Sequence, residues 1–69
     1  MKKHAVAFEP LPGYSERFVI RYLDRSGELP KQKAVVVYGK RKDQLAIAAE
    51  TVARTFKIAN GDIISANYQ

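Results

Sequence analysis

The fold of this chain is decided by residues 35–45, which read Val35-Val36-Val37-Tyr38-Gly39-Lys40-Arg41-Lys42-Asp43-Gln44-Leu45. Three valines and a tyrosine are typical of a β-strand, because β-branched and aromatic side chains pack well on a pleated sheet. Gly39 then permits a turn, and three cations precede the first apolar residue of a helical pattern. The stretch therefore predicts a strand over residues 33–38 that leads through a basic turn into a helix.

Apolar residues after this turn recur at helical spacing. Steps of four, three and four residues separate Leu45, Ala49, Val52 and Phe56. At 3.6 residues per turn these positions form one stripe, which we expect to pack on a sheet with Phe56 among its large core side chains. Asn60-Gly61 predicts the end of the helix, because both residue types tolerate the left-handed backbone conformation.

Three further segments have the character of strands. Residues 17–24 are rich in β-branched and aromatic types, and their alternation places Phe18, Ile20 and Tyr22 on one face. The turn residues at 24–27 predict that this strand forms a hairpin with the strand at 33–38. A short edge strand is expected at residues 4–9, and a closing strand at residues 62–68.

The resulting order is β-β-β-α-β, which predicts a small two-layer α+β domain with a mostly antiparallel sheet and one helix. The 69 residues are expected to form a single domain, 1–69, with a thin core. The pattern leaves open whether the last strand pairs at one sheet edge, at the other, or with a second copy. Because the chain has no cysteine, we expect a reducing, cytoplasmic setting.

The residue inventory argues against catalysis. The chain has one histidine, no cysteine and seven dispersed acidic residues, so it offers neither an activated nucleophile nor clustered metal ligands. No glycine pattern of a nucleotide site occurs, and no apolar run approaches the roughly 20 residues of a membrane span. We therefore expect no enzyme activity, no metal, no cofactor, no small-molecule substrate and no membrane partner.

The charge balance indicates a polyanionic partner. Twelve Lys and Arg against seven Asp and Glu give a formal net charge of +5, which favours nucleic acid, although surplus lysines also occur simply as solubilising surface. Three of the cations stand where the helix begins, and there we expect free backbone N–H groups to help bind phosphate. The candidate nucleic-acid-binding residues are Arg17, Arg21, Arg25, Lys31, Lys33, Lys40, Arg41 and Lys42.

Some apolar side chains exceed what one helix on one sheet face can cover. They are either scattered surface residues or an interface with a second copy or another protein. The candidate interface residues are Val19, Leu23, Val35, Val37, Ile47 and Ile58.

The predicted elements also form a longer pattern. It consists of a strand ending in Arg21-Tyr22-Leu23-Asp24-Arg25-Ser26-Gly27, a short basic strand, and a helix that residues 40–43 begin and Ala48-Ala49-Glu50 continue. Over residues 5–58 this pattern resembles the three-strand-plus-helix DNA-binding domain at the N-terminus of tyrosine recombinases and, more distantly, plant AP2-type domains. The resemblance implies that the sheet enters the major groove, with cations of residues 17–33 against DNA. This chain differs by the strand predicted after the helix.

Together these observations predict a small non-enzymatic accessory protein that binds DNA or RNA, in the style of phages and mobile elements, with Lys and Arg on the phosphate backbone. The alternative is a protein-interaction module or inhibitor that acts through an exposed sheet face or edge strand as a homodimer.

Overall fold

A computed structural model describes residues 6–69 and confirms the α+β class and the order β-β-β-α-β. The strands are β1 (Val6–Ala7), β2 (Glu16–Asp24), β3 (Lys31–Gly39) and β4 (Ile63–Tyr68), and the helix is α1 (Leu45–Thr55). Short 3₁₀ turns at Lys42–Gln44 and Asn60–Asp62 flank the helix region.

The four strands form one antiparallel sheet in the order β1-β3-β2-β4. The predicted hairpin is β2–β3, which pairs over nine residues from Glu16↔Gly39 to Asp24↔Lys31, so β3 is longer than expected. The last strand lies at the free edge of β2, a position that the sequence left open. Of the edge strand expected at residues 4–9, only Val6–Ala7 is strand, and residues 4 and 5 lie outside the described part.

The core lies between one face of the hairpin and α1. Phe18 pairs with Val37 in register, so their side chains lie side by side on the same face as Ile20. These three residues and the helical Ala48 and Val52 are fully buried. Each large aliphatic or aromatic side chain contributes roughly 1.5–3 kcal/mol when buried, and the small Ala48 allows α1 to lie close to the sheet.

The helix ends earlier than the sequence predicts. It stops at Thr55, and Lys57 adopts the left-handed conformation at φ 57°, which the prediction had assigned to Asn60-Gly61. The N–H of Ile58 donates to the carbonyl of Ala53 at 2.8 Å, which closes the last turn. This early reversal brings Ile58 back against the core.

Phe56 was expected in the core but is 42% exposed, because it lies just beyond the last helical residue. Its ring packs against Phe8 and Tyr22, with centroid separations of 5.7 and 5.9 Å. Phe56 therefore belongs to an aromatic cluster beside the core. Its truncation should lower the free energy of unfolding by less than the truncation of a fully buried ring.

An irregularity in β4 changes which residues of that strand face the core. Tyr22 pairs with Ile63 and Arg21 with Ser65, so Ile64 is an extra residue in β4. Ile63 and Ala66 pack against the core, whereas Ile64 is 47% exposed. The strand thus leaves an apolar residue exposed.

Gly39 is the position at which added bulk should damage the fold most directly. A Cβ there would lie 2.8 Å from Phe18 Cε2 and 2.9 Å from Gln44 Oε1. We expect Gly39→Ala to lower the free energy of unfolding by about 1–3 kcal/mol, because the buried Phe18 ring has no room to move. Urea denaturation measures this change.

Gly61→Ala is the matched control, because a Cβ at that glycine meets no atom within 4 Å. Equal destabilisation by the two substitutions would contradict the role assigned to Gly39.

Candidate nucleic-acid interface

The sheet has one face covered by α1 and one face without a helix. Because side chains alternate along a strand, the residues between the core positions of β2 and β3 point to the uncovered side. Within residues 6–69 the single α-helix packs on the other side. We call this surface the open face, and it consists of Arg17, Val19, Arg21 and Leu23 from β2 and Gln32, Ala34, Val36 and Tyr38 from β3.

The open face is positively charged. It carries Arg17 and Arg21, both exposed, and no carboxylate. The four ionic pairs found in the described residues involve neither arginine. Both guanidinium groups are therefore free to bind an external anion with the planar fork that suits phosphate.

Apolar and aromatic side chains lie around the two arginines. Arg17 is opposite Tyr38 in register, and Val19 is opposite Val36. The two valines, Leu23 and Tyr38 are half-buried, so they form a partly apolar surface between and beside the two arginines. A surface of this kind combines charge for phosphate with apolar area for sugars and bases.

The basic turn, Lys40 to Lys42, follows β3 at the end of the sheet where Arg17 lies. Gln44 Oε1 accepts hydrogen bonds from the N–H groups of Lys40 and Arg41 at 2.8 and 3.1 Å. These two amides already have an acceptor, so they do not contribute to the phosphate binding that is expected of backbone N–H groups at this point. The exposed side chains of the turn carry its positive charge.

Two tyrosines hold the basic turn in place. Lys40 Nζ lies 5.2 Å from the centroid of the Tyr14 ring, a cation–π contact. Tyr68 Oη donates to the carbonyl of Lys42 at 2.7 Å and so joins the end of β4 to the turn. Arg41 pairs with the exposed Asp43 at 2.7 Å, which leaves Lys40 and Lys42 as the cations of the turn without a carboxylate partner in the described residues.

The opposite end of the sheet holds the other predicted cations, so the structure does not bring all eight together. Arg25 Nε is 2.8 Å from Asp62 Oδ2, and Lys33 Nζ is 2.8 Å from Asp24 Oδ2. Lys31 is exposed beside them on the helix side of the sheet. Arg25 and Lys33 therefore have intramolecular partners, unlike Arg17 and Arg21.

Asp24 is held as a carboxylate by its surroundings. The Lys33 ammonium and then the side chain and N–H of Ser26, the latter at 2.9 Å, hold the pKa of Asp24 well below its ordinary value of 3.8. The same contact raises the pKa of Lys33, and Asp62 raises that of Arg25. These ion pairs tie the ends of β2 and β3 to each other and to the segment before β4.

One of the candidate interface residues is wrong: Val37 is fully buried in the core. Val35 and Ile58 are partly buried and pack against the core, because the β2–β3 register and the early helix end turn them toward α1. Val19 and Leu23 lie on the open face, and Ile47 is exposed on the outer side of α1. Those three remain candidates.

A cleft of about 600 Å³ lies between the end of β2 and the end of α1. Tyr22 and Phe56 line it, and its two carboxylates, Asp24 and Asp62, are already paired with cations. No group of three or more metal-ligating side chains occurs in residues 6–69. No helix in this part of the chain has the length and apolar character needed to cross a membrane.

No match to this chain is found among family models, curated proteins or solved structures. The resemblance to the recombinase domain therefore stays a prediction, and functional inference rests on the surface itself.

Sequence reasoning missed the residues that shape the basic turn. Gln44, Tyr14 and Tyr68 are separated by more than twenty residues and meet only in the folded chain. The spacing of Gln44 three residues after Arg41 resembles a capping box and was the one signal available for it.

The Asp24 ion pair predicts a specific pH dependence of stability. Because the folded pKa of Asp24 is depressed, its contribution is present above the unfolded value near 3.8 and is lost as pH falls below it. We expect Asp24→Asn to lower the melting temperature at pH 7, with the difference from wild type shrinking at about pH 3 and below.

Thermal unfolding followed by circular dichroism between pH 2 and 7, run on buffers of equal ionic strength, measures this effect. If the difference in melting temperature between wild type and Asp24→Asn stays constant through this pH range, the ion pair is not the source of that difference.

Proposed function

We propose that this protein binds nucleic acid through its open face, with the side chains of Lys40 and Lys42 in support. The observation that carries the proposal is the placement of Arg17 and Arg21 on a helix-free sheet face without any carboxylate. The acidic residues of β2 point the other way: Glu16 and Asp24 share the face of Phe18. The carboxylates of β2 thus lie away from the open face, which keeps its positive charge available to a polyanion.

The spacing of the two arginines suits a strand of nucleic acid. They are four residues apart in β2, which at about 3.3 Å per residue separates their Cα atoms by about 13 Å. At this separation the two guanidinium groups can contact different phosphates, since each strand of a duplex carries one phosphate per roughly 3.4 Å of helix axis. Two guanidinium groups in a row can therefore follow one phosphate backbone, while Val19, Val36 and Tyr38 contact sugars or bases between them.

Contacts of this type give affinity with at most modest sequence preference. Arginine–phosphate contacts carry no sequence information. The apolar part of the open face has few polar groups that could form hydrogen bonds with base edges. We therefore expect binding dominated by counterion release, with an affinity that falls steeply as salt rises.

A protein-interaction module is the second candidate, because Val19, Leu23 and Val36 place apolar area on the same face. That function predicts binding that is insensitive to the arginines and to salt, and sensitive to Val19→Glu.

Replacing both arginines tests the proposal. We expect Arg17→Gln with Arg21→Gln to weaken binding to a 20-base-pair duplex or a 20-nucleotide single strand by more than about tenfold at low salt. The slope of log affinity against log salt should fall by about 1.8, since each lost duplex phosphate contact contributes about 0.9. Fluorescence anisotropy at several salt concentrations measures both quantities.

The matched control is Arg54→Gln with Lys57→Gln, which removes the same charge from the helix side. Arg54 is exposed in α1, where its nearest carboxylate is Glu50 at 3.6 Å. Equal losses in the two double variants would mean that overall charge alone drives binding, and no binding by wild type at low salt would reject the proposal.

A further inference from the structure

We propose that two copies of this chain join through the outer edge of β4 to form a two-fold dimer with one continuous eight-stranded sheet. The sheet order leaves β4 at an edge, and no strand in the described residues 6–69 pairs with its outer side. The proposal concerns assembly and does not depend on nucleic-acid binding.

The outer edge of β4 lacks two features that often block strand pairing, and its irregularity, the extra residue Ile64, lies near the start of the strand, away from Ala66 and Tyr68. Monomeric proteins protect sheet edges with charged residues or proline. β4 reads Ile63-Ile64-Ser65-Ala66-Asn67-Tyr68 and contains neither. Two of its side chains, Ile64 and Tyr68, are 47% and 53% exposed, so the edge is both uncharged and partly apolar.

The other edge of the sheet is better protected. There β1 covers Tyr38 and Gly39 of β3, and the remaining edge begins with Lys31 and Lys33 after Pro30. Pairing of β4 with β3 of another copy, which would extend without limit, is therefore disfavoured. Pairing of β4 with itself closes on a two-fold axis and gives a dimer.

The backbone identifies the groups that would pair. The N–H of Gln69 donates inward to the carbonyl of Arg17 at 3.0 Å. Because N–H and C=O groups alternate sides along a strand, those of Ala66 and Tyr68 face outward. A two-fold axis at Ala66 then places Ala66 opposite Ala66 and Ile64 opposite Tyr68 of the second copy.

This register is self-complementary. The two-fold axis brings two exposed apolar residues, Ile64 and Tyr68, opposite each other on both sides of the axis. No like charges face each other, because the strand has none. An axis perpendicular to the sheet keeps both copies of α1 on one side and both open faces on the other.

Sedimentation equilibrium up to about 1 mM tests for the dimer. We expect wild type to approach twice the chain mass of 7.8 kDa. Ile64→Lys adds a charge to the edge, and Ala66→Pro removes an outward N–H that β2 does not use, so each should shift the mass to that of the monomer. Leu29→Lys, which adds the same charge at a residue 74% exposed in the β2–β3 loop, should leave the dimer intact.

Amide hydrogen exchange locates the contact and needs no substitution. We expect the N–H groups of Ala66 and Tyr68 to exchange at least about tenfold more slowly as concentration rises from monomer to dimer, with little change at Val36. Circular dichroism establishes that each variant is folded. A monomeric wild type at 1 mM, a dimer that survives either β4 substitution, or unprotected Ala66 and Tyr68 amides would overturn the proposal.

Discussion

The burial of the Phe18–Val37 pair beneath α1 is the constraint on which the rest of this structure depends. Within residues 6–69 five side chains are fully buried, and two of them belong to α1. A core of this size leaves little stability in reserve. Packing against α1 consequently constrains the residues on the covered side of the sheet. The residues of the open face are not constrained by this packing.

That asymmetry explains where the charges are. On the helix side Asp24 of β2 forms an ion pair with Lys33 of β3. On the open face Arg17 and Arg21 have no such partner within residues 6–69. Arginines in this position contribute little to stability, and the nucleic-acid binding proposed above would give their arrangement a physical reason.

Gly39 and Gln44 link the core to the basic turn. The glycine lets the chain pass close to the Phe18 ring, and Gln44 then holds the amides of Lys40 and Arg41. This arrangement fixes the backbone of the turn and directs its lysine side chains outward, at the same sheet end as Arg17. The turn therefore extends the charged surface through its side chains, while two of its backbone amides are bound by Gln44.

Much of the fold was predictable because short-range patterns determine it: the alternation at Phe18, Ile20 and Tyr22 marked β2, and the spacing of Leu45, Ala49 and Val52 marked α1. The sequence could not assign Val35 and Val37 to the core, because both faces of β3 carry valine and only the register decides between them. It also misplaced the helix end, since Lys57 adopts a left-handed conformation that glycine usually takes. For the candidate site, the sequence identified the cations. Only the register of the strands distinguished Arg17 and Arg21, on the open face, from Arg25 and Lys33, which form ion pairs.

The most direct test of the open face is an NMR titration of the isotope-labelled protein with a short duplex and a short single strand, at low and near-physiological salt. We expect chemical-shift changes to concentrate at Arg17, Val19, Arg21, Val36 and Tyr38 and at Lys40 and Lys42, and to decrease as salt increases. Changes confined to the outer side of α1, or no changes at low salt, would contradict this expectation.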